Sequence, residues 1–153
     1  MKKVVSLVTI FVLCLTALAG CSGSKEVDLK TVLSDINSKY SLDLKELTDS
    51  NDLKKYYSID TEDVKQFAAE INSDSNSRVE IVLVEAVDAD AASRVNDALS
   101  KTYTSIVTQY SGYNAKKLPM VEACKVTQDG NYVTMIVADQ GPEILKTFYG
   151  YIK

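Results

Sequence analysis

The chain has 153 residues, with 17 basic and 21 acidic side chains for a net charge of −4, and it contains no histidine. Without imidazole, Ser-His and Cys-His nucleophile pairs and most zinc sites are excluded. Lysines scattered singly or in pairs give no basic stripe for nucleic acid, and six glycines, two of them at Gly20 and Gly23, leave no phosphate loop to be written.

Residues 1 to 20 carry the three parts of a secretory signal. Lys2 and Lys3 provide the positive start, Val4 to Ala19 the apolar segment, and small residues the cleavage point. Ser6, Thr9 and Thr16 interrupt a run already short of the ~20 apolar residues that a spanning helix needs. Leu18, Ala19, Gly20 and Cys21 together resemble the lipobox of bacterial lipoproteins. That resemblance implies a diacylglyceryl group on the Cys21 thiol, cleavage before it, and residence on the extracytoplasmic face of the cell membrane. The expected organisation is a signal peptide over 1–20, a lipidated cysteine with a short tether over 21–27, and one domain over 28–153. Cleavage removes two lysines and no acid, moving the net charge from −4 to −6. Attraction to anionic lipid cannot then hold the protein at a membrane, and two acyl chains can.

From Asp28 the pattern turns helical. Leu29, Val32, Leu33, Ile36 and Tyr40 recur at helical spacing behind Asp28 as N-cap. A short helix is expected over about 50–57. Asp60, Glu62 and Asp63 read as the start of another helix, with Ile59 stapled onto Val64 and a stripe of Val64, Phe67, Ala68 and Ile71. Residues 72–77 are polar and end it.

Residues 78–87 read as a strand that is apolar on both faces in its middle. Asp88 and Asp90 open the longest helix, about 89–110, with the stripe Ala92, Val95, Leu99, Tyr103, Ile106 and Tyr110, and Gly112 as its end. Asp129-Gly130 between two alternating runs, 121–128 and 131–138, predicts a hairpin. Gly141-Pro142 starts a last helix with Ile144, Leu145, Phe148 and Ile152 inward. The expected fold is α+β: a three-stranded antiparallel sheet in order 1-3-2, a split β-α-β arrangement. Helices cover one face and the N-terminal helices are added to it.

The residues point to no cofactor, no metal and no catalytic set. Asn72, Asp74 and Asn76 imitate the start of a calcium loop, but Ser77 and Leu83 stand where its glycine and bidentate glutamate belong. Asp60/Asp63 and Asp88/Asp90 are explained as helix-start carboxylates. With Cys14 removed and Cys21 alkylated, Cys124 is a lone thiol that reads as a small buried hydrophobe. Tyr56, Tyr57, Tyr110, Tyr113, Tyr149 and Tyr151 near helix ends could form a binding face, since tyrosine joins an apolar body to a polar tip.

Three stretches resemble a family of small bacterial lipoproteins, domain of unknown function 4358. They are Tyr57-Ser58-Ile59-Asp60, the strand Glu80-Ile81-Val82-Leu83-Val84 leading through Asp88 into an alanine-bearing helix, and Gly130-Asn131-Tyr132-Val133. The likeness runs from about Leu42 to Tyr149, and Ser58 stands where the family pattern carries glycine. It implies an envelope lipoprotein and assigns no activity. The expected function is a non-enzymatic module that binds an envelope protein or small ligand while the Cys21 lipid holds it to the membrane. The alternative is a small envelope enzyme acting on peptide or glycan through Asp60, Asp88 or Cys124.

Overall fold

The computed structural model describes residues 26–72 and 78–153. The signal segment, the lipobox Leu18 to Cys21, and Asp74 and Asn76 of the calcium-like tract lie outside the described residues.

Asp28 opens α1 (Leu29–Tyr40) as expected, its carboxylate accepting from the Lys30 amide. A three-residue strand β1 (Lys45–Leu47) follows, then α2 (Ser50–Tyr57), capped by Asp49. Ser58 closes α2 at φ 58°, the left-handed region, with its amide donating to Leu53 and Lys54. Glycine adopts this backbone at no steric cost, whereas Ser58 must tolerate it.

The helix expected after Asp60 is not formed. Asp60 makes no side-chain cap bond, and a single 3-10 turn over Thr61–Asp63 leads into strand β2 (Val64–Ile71). The chain continues through β3 (Glu80–Ala86), the long helix α3 (Ala89–Tyr113) and a short helix α4 (Leu118–Ala123). The hairpin β4 (Val126–Asp129) and β5 (Tyr132–Val137) and the final helix α5 (Gly141–Ile152) complete it. Residues 121–123, expected in the hairpin, belong to α4, and α3 runs through Gly112. The hairpin turn is Gly130-Asn131, one residue later than expected, because Asp129 ends β4 paired with Tyr132; Gly130 takes φ +57°.

The class is α+β, but the sheet has five antiparallel strands, not three, in the order β1-β2-β3-β5-β4. The expected 1-3-2 order survives inside it as β3-β5-β4. Helices cover both faces rather than one. On one side α2, α3 and α4 pack on Ala69, Val82, Val84, Val133, Met135 and Val137. On the other, α1 and α5 pack Leu29, Val32, Ile36, Ile144 and Phe148 against Ala68, Ile81, Leu83 and Ile136. Each such fully buried large side chain contributes roughly 1.5–3 kcal/mol. Because every residue of β3 is buried, its two faces need these two layers. Both sheet edges are short strands, three residues in β1 and four in β4, which limits edge-to-edge pairing.

The chain joins the domain at one end of the sheet. Gln66 on β2 accepts from the Leu29 amide at 3.0 Å, donates to the Val27 carbonyl at 2.7 Å and donates to Glu85 on β3. Lys65 pairs with the same Glu85 at 2.8 Å. The register places the β4–β5 turn at this end as well, where Lys153, just after α5, reaches Asp129 at 3.0 Å.

Candidate functional site

Two local features make a groove between α2 and α3. The left-handed Ser58 turns the chain sharply at the end of α2 and leaves Tyr57 as the floor. Along α3, Arg94, Asp97, Ala98, Lys101 and Thr102 recur every three or four residues and so form one wall. The concavity holds about 310 Å³, the lower end of the range for small-ligand clefts.

Its electrostatics are fixed by an ion pair. Arg94 donates to Asp63 through Nε at 3.0 and 3.2 Å and through Nη2 at 2.5 Å, a fork on both carboxylate oxygens. The Arg94 guanidinium holds the Asp63 carboxyl below the usual carboxylate range. Asp63 is itself buried, so the pair ties the 3-10 turn to α3 and sets the Arg94 stem along the groove. Asp97 and Lys101, one helical turn apart, supply one charge of each sign on the same wall.

Beneath the groove lies a polar cluster. The Tyr57 hydroxyl and Glu80 Oε2 are buried and have no hydrogen-bond partner among the described residues. Burial, and then the Glu80 charge, push the Tyr57 hydroxyl pKa well above its ordinary value. Arg78 pairs with the other Glu80 oxygen, and the Tyr110 hydroxyl accepts from the Arg78 amide at 2.7 Å. The arrangement can bind a small group of mixed polarity over an aromatic floor. It brings no nucleophile and base together.

The carboxylates and thiol of the enzymatic alternative each have local partners. Asp60 pairs with Lys54 at 2.6 Å, and Asp88 accepts from the Ala91 amide at 2.7 Å as the α3 cap. Cys124 is buried, its Sγ close to the Met120 and Ala138 carbonyls, and burial raises its thiol pKa. Among the described residues no cluster of three or more Cys, Asp or Glu is placed to hold a metal.

The six helix-end tyrosines do not form one face. Tyr57 and Tyr110 are buried in the α2/α3 layer, whereas Tyr151 bonds Asp35 and Tyr149 lies under Lys153 across the sheet. Tyr113 stands 92% exposed at the end of α3. The groove residues on α3 were passed over in the sequence because they occupy its polar side. Only the docking of α2 turns that side into a wall.

A family model for a domain of unknown function (DUF4358) matches residues 37–138. The chain belongs to that family. The matched span holds all five strands with α2, α3 and α4, and so contains the whole groove. No curated protein and no solved structure matches the chain. Among the described residues no helix is long and apolar enough to cross a membrane.

Proposed function

We propose that this DUF4358 protein is an extracytoplasmic lipoprotein, held to the membrane by acylated Cys21, whose domain binds an envelope protein or small ligand in the α2/α3 groove. The observation that carries the binding role is the groove itself, a concavity with Tyr57 as floor and Arg94, Asp97 and Lys101 as charges set along one helix. The anchoring role rests on the Leu18-Ala19-Gly20-Cys21 motif in register with the end of the apolar segment. Six residues of tether, Ser22 to Val27, reach roughly 20 Å, so the groove would work close above the bilayer.

Crosslinking in intact cells tests it. Wild type should give a discrete adduct that an Ala98→Trp variant, whose indole fills the groove, loses while keeping its thermal midpoint and its membrane fraction. An adduct pattern unchanged by Ala98→Trp would contradict the groove as binding site.

A further inference from the structure

Glu70 is a buried carboxylate that the groove does not use. It lies on β2, paired across the sheet with Ile81 of β3 and Glu46 of β1. Its side of the sheet carries the apolar layer of Ala68, Ile81 and Leu83 beneath α1. The amide of Asn37 on α1 reaches down into that layer, and its Nδ2 donates to Glu70 Oε1 at 2.6 Å. The other atom of each group, Asn37 Oδ1 and Glu70 Oε2, is buried with no partner.

With Glu70 ionised, both leftover atoms are acceptors with nothing to donate to them, and each carries the desolvation penalty of an unpaired buried group. A proton on Oε2 converts one into a donor, and the acceptor it needs sits on the same amide that already holds Oε1. We propose that Glu70 is a neutral carboxylic acid in the folded protein and closes a two-bond ring with Asn37, a proton-dependent latch between α1 and the sheet. Its surroundings favour the neutral form. Glu46 faces it from β1 with like charge, Ile81 faces it from β3, Asn37 faces it from α1, and no Lys or Arg pairs with it among the described residues. Burial, with Glu46 adding to it, holds the Glu70 pKa above its ordinary value against the opposing bond from Asn37.

The sign follows from a raised acid pKa. The latch is fully closed below the ordinary glutamate pKa and opens as pH rises through the elevated one. Its opening removes the Glu70 tie on the C-terminal half of α1, which Asp35 and Tyr40 still bond to α5, while Gln66 holds the N-terminal half to the sheet. The device would thus make the seating of α1 respond to the proton concentration outside the cell.

Infrared difference spectra of the full-length protein against Glu70→Gln test it directly. Wild type should carry a protonated-carboxyl band that is missing from the variant and that titrates above the ordinary glutamate value of 4.5. Over the same pH interval, protection of the Ile36–Tyr40 amides from hydrogen exchange, corrected for intrinsic rate, should fall several-fold in wild type. In Glu70→Gln it should stay constant, because a glutamine amide pairs with Asn37 at any pH. If that variant does not fold, the Glu70 carboxyl carbon resonance of the wild type reads the same proton. A Glu70 that ionises at or below the ordinary range, or exchange with the same pH profile in both proteins, would overturn the latch.

Discussion

Gly141 packs so closely against Cys124 that no side chain fits there. A β-carbon built at Gly141 would stand 2.6 Å from Cys124 Sγ and 3.3 Å from the Ile136 carbonyl, where the α5 start meets the sheet end. The backbone carbonyl cannot move aside, so Gly141→Ala should cost about 1–3 kcal/mol through overpacking, read as a lower denaturant midpoint with an unchanged slope. The lone thiol is therefore part of a packing contact, which matches the reading of Cys124 as a buried hydrophobe. Asp63 gives the residue-scale pH dependence. Its pKa is lowered in the folded state, so its stabilisation is present above its ordinary value of 3.8 and is lost as pH falls through and below it. Arg94→Met should remove that contribution, flattening the acid limb of the stability curve while leaving the alkaline limb in place. Asp63 reads in the sequence as a helix-start carboxylate but instead ends a 3-10 turn, and its partner was not legible, since Arg94 lies 31 residues away and only the folded chain joins them.

At the scale of elements, helices α1, α2, α3 and α5 were legible because each is amphipathic and carries its own start signal. Strand β2 was not. Val64, Phe67, Ala68 and Ile71 obey helical spacing, yet in the fold they arise from a strand covered on both sides, with a register shift between Val64 and Gln66. Ala68 packs under α1 while Ala69 and Phe67 pack under the α3 layer, so the pattern of a half-buried strand never appears. Tertiary pairing with β3 along seven positions overrides the local preference. Gln66, polar in the middle of that misread stripe, is the residue that secures α1. Gln66→Ala should leave the Leu29 amide and the Val27 carbonyl without partners and cost about 1–3 kcal/mol. Hydrogen exchange should show the loss concentrated in the first turns of α1, with β3 protection nearly unchanged.

Across the whole molecule, two helical layers enclose one five-stranded sheet, where three strands and a single covered face were expected. The necessary signal was present, since Ile81 and Leu83 alternate with Val82 and Val84 and all four are apolar. Such a strand cannot present either side to water. The layout also orders function in space. The chain joins the domain beside Gln66, Glu85 and the β4–β5 turn, whereas Tyr113 and the start of β3 lie at the far end of the sheet. A short lipidated tether would therefore set the turn end toward the bilayer and the Tyr113 end away from it. Anchoring is the claim on which the membrane-proximal reading rests, and intact mass spectrometry of the protein extracted from membranes measures it most directly. The account predicts a chain that starts at Cys21 and carries a diacylglyceryl group whose mass disappears in a Cys21→Ala variant. A mature chain that lacks the diacylglyceryl mass on Cys21, or one that retains residues 1 to 20, would contradict it.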